Sequence, residues 1–362
     1  MLRPPSERPP SRLVVEAAAM IERMKKRVYM IYTGGTIGMR RTADGYSPEP
    51  GLLQHQMRAM SELKDASMPA VTVHEYGPLI DSSNMTPIEW MKIADDIANN
   101  YDDYDGFIVL HGTDTMAYTA SALSFILDGL RKPVIVTGSQ IPLSELRSDG
   151  HDNLINSLVV ASSLDVPEVC LYFGNKLLRG CRTVKVSANG FAPFSSPNFP
   201  PLGSMGVGIE IRWDLVRRPS KNKRFSVRRM DAPVLSALRL FPGISVEFVR
   251  NVLRPPLQGL VLQAYGVGNG PGQNQEFVET IAEATRRGVV IVDCTQCLQG
   301  AVDLGEYAAG SALAKAGVIS GYDMTVEAAL TKLNLLFSQG YKPERVRRDM
   351  CRDLRGEMTV PN

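Results

Sequence analysis

The sequence predicts an α/β protein, with a larger N-terminal, doubly wound, mostly parallel sheet domain joined by a linker to a smaller C-terminal α/β domain. Three observations lead there. From residue 27 onward, short apolar runs alternate with stretches of helical periodicity, the pattern of successive β-α units. The apolar runs are continuous, as expected of strands covered on both faces. The chain has 362 residues, and at ~100–200 residues per domain that length divides more naturally into two cores than one.

Residues 1–26 hold four prolines and several arginines, and Leu13-Val14-Val15 is too short for a signal-peptide core. They read as a disordered extension, or as sequence upstream of a true start at Met20 or Met24. The first domain spans 27–212. Its opening strand, Val28 to Tyr32, runs into Thr33-Gly34-Gly35-Thr36-Ile37-Gly38. That turn reads either as a nucleophile or anion cradle or as a plain glycine turn. Thr86-Pro87-Ile88-Glu89 is a capping box with proline at the first helical position, opening a helix to Asn99. Phe107–Leu110, Val134–Val136 and Val169–Phe173 are further strands, ending in His111-Gly112-Thr113-Asp114, Thr137-Gly138-Ser139-Gln140 and Gly174-Asn175. Helical periodicity covers Ala117–Leu130 and Asn153–Ser163. Parallel strands would bring their four end loops to one rim, where open α/β sheets bind ligands.

Residues 213–237 form the linker. The run Arg217-Arg218-Pro219-Ser220-Lys221-Asn222-Lys223-Arg224, followed by Arg228-Arg229, has no apolar periodicity and reads as solvated. The second domain, 238–362, places strands at Leu260–Leu262 and Val289–Val292 and helices at Ser245–Leu253, Gln275–Arg287 and Thr325–Ser338.

Composition excludes several classes. Lys and Arg number 40 against 38 Asp and Glu, a net charge of +2 that calls for neither nucleic acid nor a membrane surface. No apolar stretch nears the ~20 residues of a membrane span. Five cysteines without a signal sequence argue against a disulfide framework and for the cytoplasm; Cys294 and Cys297 read as two loop cysteines. The phosphate-loop and serine-hydrolase motifs are absent, and Gly266-Val267-Gly268-Asn269-Gly270 lacks the spacing of a dinucleotide fingerprint. His55, His74, His111 and His151 lack metal-ligand spacing, so neither a metal nor a cofactor is expected. What remains is hydroxyl chemistry. A threonine needs a neighbouring base to act as a nucleophile at neutral pH, and Thr36, Thr113, Asp114, Tyr46 and Lys185 are candidates whose spacing leaves open whether they meet.

Tyr32–Met39, Asp81-Ser82-Ser83, Leu110–Met116, Thr137–Pro142 and Arg182-Thr183-Val184-Lys185 resemble, in order, the motifs of the asparaginase family. Tyr265–Asn269 and Asp323–Ala328 resemble its bacterial cytosolic type I branch. The resemblance implies hydrolysis of L-asparagine through an acyl-enzyme, with Thr36 as nucleophile and Tyr46, on a mobile loop with Asp44 and Gly45, activating it. Thr113, Asp114 and Lys185 form the second catalytic group, and backbone N–H groups near Gly35 and Thr113 supply the oxyanion donors. Asp81, Ser82, Ser83, Thr113 and Asp114 bind the two charged ends of the substrate, and Ser139 contacts the leaving amide. Asp114 also reads as a helix N-cap before Thr115–Leu130, a role compatible with binding. The resemblance further implies a homodimer or homotetramer with no nucleic-acid or membrane partner. Branch members carry an allosteric asparagine site, of which this chain keeps Asn269, Thr295, Gln296 and Cys297. It has Gln263 in place of arginine and Val184 in place of threonine, so activation by substrate is expected to be weakened or lost. Other readings of the same motifs are an ammonia-supplying subunit of a tRNA amidotransferase and a non-catalytic asparagine-binding protein.

Overall fold

A computed structural model describes residues 25–43 and 45–360; the expectations for residues 1–24 and for Asp44 lie outside the described residues. The larger sheet has eight strands, β1 Arg27–Tyr32, β2 Ala70–Glu75, β3 Gly106–Leu110, β4 Val134–Thr137, β5 Val169–Phe173, β6 Lys176–Arg179, β7 Gly203–Met205 and β8 Ile209–Ile211. They lie in the order 8-7-6-5-4-3-1-2. Strands β1 to β5 are parallel, and β6 to β8 complete the sheet antiparallel. Because the chain leaves β1 for the β2 edge and then returns to β3, the order reverses between β1 and β3. A crevice opens at such a reversal beyond the carboxyl ends of the strands.

Strand β1 shows why the sheet is covered on both faces. Tyr29 and Ile31 enter one core with Trp90, Ile93, Leu123 and Phe125, from helices α2 (Pro87–Asn99) and α3 (Met116–Ile126). Val28, Met30 and Tyr32 enter the other with Leu53, Leu154 and Leu158, from α1 (Leu52–Ala59) and α4 (Gly150–Ser163). The Thr86 hydroxyl accepts from the Ile88 N–H, and the Thr86 N–H donates to Glu89 at 2.8 Å, which completes the capping box of α2.

Several boundaries differ from the sequence expectation. Helix α3 ends at Ile126, since Leu127–Asp128 pairs antiparallel with Ser226–Val227 of the linker. That linker is only partly solvated. Phe225 stacks on Tyr101 with ring centroids 3.7 Å apart, and Arg131 donates to the Ser220, Lys221 and Lys223 carbonyls. Strand β2 and helix α1 were not anticipated. The β2 sequence Ala70-Val71-Thr72-Val73-His74-Glu75 alternates along a sheet edge, so it lacks the continuous apolar run of a central strand.

The second sheet is four parallel strands in sequential order, β9 Leu235–Arg239, β10 Gly259–Ala264, β11 Val290–Thr295 and β12 Ile319–Ser320. Helices α5 (Val246–Val252), α6 (Gln275–Arg286) and α7 (Ala308–Lys315) cover one face; α8 (Val326–Ser338) and α9 (Pro343–Met350) cover the other. Leu335 of α8 reaches the first-domain core that contains α3. The C-terminal tail is fastened across the same junction. Lys332 and Glu357, both fully buried, pair at 2.6 Å; Lys332 also donates to the Met350 and Arg352 carbonyls, and Glu357 accepts the Leu354 and Arg355 N–H groups. Taking a buried pair apart from one side strands a charge in a dry core, so every one of these donors and acceptors is needed. No helix among the described residues is long and apolar enough to cross a membrane.

Asp293, on β11, is a different kind of buried charge. It is fully buried and neither oxygen makes a hydrogen bond of normal geometry. Burial pushes its carboxyl up to about 7, with the Ala264 backbone opposing this only in part. The folded state therefore binds a proton between an unfolded value of ~3.9 and about 7, and stability from this group declines as pH rises through that window. Urea unfolding at pH 5 and pH 8 should show the parent losing roughly 2–3 kcal/mol relative to Asp293→Asn over that interval; equal changes in both proteins would contradict the assignment.

Candidate active site

Three loops meet at the crevice between β1 and β3. The Thr33 N–H donates to the Leu110 carbonyl at 3.1 Å, and the Ile80 N–H donates to the Thr33 carbonyl at 2.7 Å. A Cβ on Gly34 would lie 2.3 Å from the Ile80 oxygen, and one on Gly35 would lie 2.5 Å from the Gly112 nitrogen. One on Gly112 would lie 2.5 Å from Ser82 Oγ. The Gly34–Gly35 backbone thus touches the Ile80 and Gly112 backbones where side chains would hold them apart, and the Ser82 side chain packs directly on Gly112. Gly35, with φ 98°, then delivers the chain into a short 3-10 turn, Thr36–Gly38.

This packing separates the two threonines of the turn. Thr33 is fully buried and its hydroxyl donates to the Leu110 carbonyl at 2.9 Å. Thr36 stands at the start of the 3-10 turn and keeps partial solvent access. Of the two, only Thr36 keeps solvent access, with its hydroxyl outside any hydrogen bond to the described residues.

On the β3 side, Thr113, Asp114 and Lys185 come together. Lys185 Nζ donates to Thr113 Oγ1 at 3.0 Å and pairs with Asp114 Oδ1 at 2.8 Å. Asp114 is therefore not the N-cap expected from the sequence: that position of α3 is Thr115, without a side-chain cap hydrogen bond, and the Asp114 carboxylate is turned to Lys185. The Thr113 hydroxyl donates in turn to Gln140 Oε1 at 3.2 Å, and Gln140 Nε2 donates to the Gly190 carbonyl at 3.0 Å. Gln140 was passed over in the sequence, although it ends the Thr137–Gln140 loop; a polar residue beside the named Ser139 was the available signal. Ser139 itself is buried, and its hydroxyl has no hydrogen-bond partner among the described residues. In this conformation it does not open on the crevice.

Asp81, Ser82 and Ser83 lie on the loop that closes on Gly112. Asp81 is exposed and accepts the Ser83 N–H at 3.0 Å, whereas Ser82 is buried and its carbonyl accepts the Thr115 hydroxyl at 2.6 Å. Tyr46 makes no hydrogen bond to this group. It sits on the hairpin Met39–Thr42 with Gly45–Pro48, half exposed at 47%. Beneath Thr113, His111 is fully buried, and burial pushes its imidazole down to about 4, so it is neutral at physiological pH.

Next to Lys185, through Val184, lies a cavity of about 290 Å³. Gln263, Thr295, Gln296 and Cys297 line it together with Arg239 and Glu327. Arg239 Nη1 donates to Gln263 Oε1 at 3.4 Å from the neighbouring strand. Asn269 is not part of that lining; it closes the turn that begins at Tyr265. Of the two cysteines expected in a loop, Cys294 instead lies buried on β11, where the strand runs on past the apolar run, while Cys297 is exposed; both are free thiols.

Comparison with known sequences identifies two domains. The family description "Asparaginase, N-terminal" matches residues 27–217, and "Glutaminase/Asparaginase C-terminal domain" matches residues 235–350. The chain belongs to the asparaginase family. It is 54% identical over 335 residues to L-asparaginase 1 of Escherichia coli K12, covering 92% of this chain and 98% of that one. The 60 kDa lysophospholipase of Mus musculus is 44% identical over 358 residues, covering 93% of this chain and 63% of that protein. Among solved structures, L-asparaginase I from Vibrio cholerae superposes with a TM-score of 0.86 at 51% identity, covering 93% of this chain and all of that one.

The close loop approach of this asparaginase predicts unequal tolerance of its positive-φ glycines. Gly35→Ala combines a φ of 98° with overlap against the Gly112 backbone, whereas Gly45→Ala, at φ 112°, meets open space. The first should cost roughly 2–4 kcal/mol in urea unfolding and the second about 1–2 kcal/mol; equal costs would mean the loops can part freely.

Proposed function

We propose that this chain hydrolyses L-asparagine to L-aspartate and ammonia by two displacements at the substrate's side-chain amide. In the first, Thr36 Oγ bonds to the amide carbon, and ammonia leaves after the nitrogen takes up a proton. In the second, water attacks the resulting ester, the bond to Thr36 breaks, and aspartate is released. The reading rests on the Lys185 ammonium, held between Thr113 Oγ1 and Asp114 on the loop whose Gly112 packs against Gly35, the residue before Thr36. Binding alone would not require a charged proton carrier hydrogen-bonded to a second hydroxyl.

Each end of the zwitterionic substrate has a partner in this reading. Asp114 and Asp81 attract the α-ammonium, and Ser82, Ser83 and loop N–H groups take the α-carboxylate. Ser139 would need a change of conformation to reach the leaving amide. Backbone N–H groups near Gly35 and Thr113 receive the negative charge of the tetrahedral intermediate, and losing one such donor typically costs ~3–4 kcal/mol. Tyr46 has to swing in with its hairpin to take the Thr36 proton, and exposure of that hairpin is consistent with such a movement.

The family resemblance supports a cytoplasmic homodimer or homotetramer. An apolar stripe along the free edge of the large sheet, Val207, Ile209 and Trp213, is consistent with assembly. For the cavity beside Lys185, we infer a weakened effector site. The nearest guanidinium, Arg239, comes from another strand and is engaged by Gln263, and Val184 supplies no hydroxyl.

Ammonia release from asparagine should fall ~10²–10⁴-fold in Thr36→Ala, Thr113→Val and Lys185→Met, with the parent folding retained. An acyl adduct trapped on Thr113 would overturn the choice of Thr36. Asparagine saturation of the unmutated protein should be hyperbolic; a sigmoidal curve would restore a working effector site.

A further inference from the structure

Beneath the catalytic loop runs a buried polar chain that the reaction as written does not use. Trp90 Nε1 donates to Thr119 Oγ1 at 3.0 Å, Thr119 Oγ1 lies 2.8 Å from His111 Nε2, and His111 Nδ1 lies 2.6 Å from the Gly112 carbonyl. His111 and Thr119 are fully buried and Trp90 is 9% exposed. Their surroundings are the apolar core of α2, α3 and the sheet. Three polar groups in such a layer carry a desolvation cost that only full hydrogen bonding offsets.

The direction of every proton in the chain is forced. A carbonyl only accepts, so His111 must carry its proton on Nδ1 to meet Gly112. In the neutral ring Nε2 is then an acceptor, and the Thr119 hydroxyl must donate to it. Indole N–H only donates, and it fills an acceptor site of the same hydroxyl. The result is one continuous line of donation from Trp90 through Thr119 and His111 to the Gly112 oxygen.

Peptide planarity carries this line into the site. In a trans peptide the N–H points opposite to the preceding C=O. With the Gly112 carbonyl fixed toward the imidazole, the Thr113 N–H faces away from it, and no acceptor among the described residues takes that N–H. We propose that Trp90, Thr119 and His111 are positioning residues that lock the Gly112–Thr113 peptide and thereby aim the Thr113 N–H and hydroxyl at the substrate amide. The role given to Thr113 rests on the proposed hydrolysis. The proton pattern of the chain does not.

Two measurements on the full chain test this separately. A two-bond ¹H–¹⁵N spectrum of the unmutated protein should contain one imidazole protonated on Nδ1 and neutral from pH 8 down to pH 5, and that signal should vanish in His111→Gln. An Nε2-protonated His111, or one that titrates in this range, overturns the relay whether or not the protein turns over asparagine. Thr119→Val keeps the side-chain shape and removes the hydroxyl. It should lower kcat for asparagine ~10–100-fold through a misaimed loop, with KM little changed, while Thr119→Ser recovers most of the loss. Trp90→Phe should shift kcat in the same direction by less. Unchanged kcat, or a loss confined to KM, in a folded Thr119→Val or Trp90→Phe overturns the positioning role. Absence of turnover in the unmutated protein with the Nδ1 signal present would instead remove the proposed function and leave the relay standing.

Discussion

The site depends on a steric constraint: the Gly34 and Gly35 backbone lies too close to the Ile80 and Gly112 backbone to admit a β-carbon, and the Ser82 side chain fills the space a β-carbon on Gly112 would need. Gly34 lies against Ile80, Gly35 against Gly112, and Gly112 against Ser82. These contacts occur where the strand order reverses between β1 and β3, where open α/β sheets leave a crevice. Close approach sets the chemistry that follows. It buries Thr33 and commits its hydroxyl to Leu110, brings Gly35 and Gly112 backbone to a common surface, and leaves Thr36 at the edge of the opening.

Lys185 reaches the same opening from far along the chain, and its placement is a matter of long-range fastening. It follows the 3-10 turn Gly180–Arg182 by three residues. Arg182 is almost fully buried. Its Nε donates to the Gly356 carbonyl at 2.6 Å, its Nη2 donates to Thr359 Oγ1 at 3.1 Å, and its Nη1 lies 2.8 Å from Asp323 Oδ2. Asp323 belongs to the second domain, and its other oxygen accepts the Thr359 N–H at 2.6 Å. The tail that supplies Gly356 and Thr359 is itself held by the buried Lys332–Glu357 pair. A loop carrying one flexible lysine is thereby tied to the second domain and the C-terminal tail at once, and the entropy of ordering it is met by contacts remote from the reaction.

How much of this was legible in the sequence follows from the range of the interactions involved. The central strands announced themselves because burial on both faces demands unbroken apolar runs, and α2 did so through the local chemistry of Thr86, Pro87 and Glu89. Edge strand β2 did not, because half of its residues face water. Motif resemblance brought Thr36, Thr113, Asp114 and Lys185 into one site, whereas spacing had left their meeting open. Contacts set by tertiary approach stayed hidden. The Gln140 amide on Thr113 and the burial of Ser139 depend on how one loop turns against α4, and neither has a local pattern. His111 lacked metal-ligand spacing, and nothing short of the folded core could join it to Thr119 and Trp90, eight and twenty-nine positions apart along that line.

The two domains therefore contribute in different currencies. Every side chain proposed to touch the substrate comes from the first domain, from loops whose positions are fixed by backbone contact over a few ångströms. The second supplies constraint in place of reacting groups, through Asp323, the tail and α8 packed on α3. That division explains why the cavity lined by Gln263 and Thr295–Cys297 sits where it does. It opens between the domains beside Val184, on the short strand Val184–Lys185 that carries the lysine, and its wall includes Glu327 at the start of α8. Its wall also includes Tyr118 of α3, beside Thr119. A ligand in this cavity would therefore touch the site from two sides, through the short strand that bears Lys185, the proposed proton carrier, and through the helix that bears Thr119.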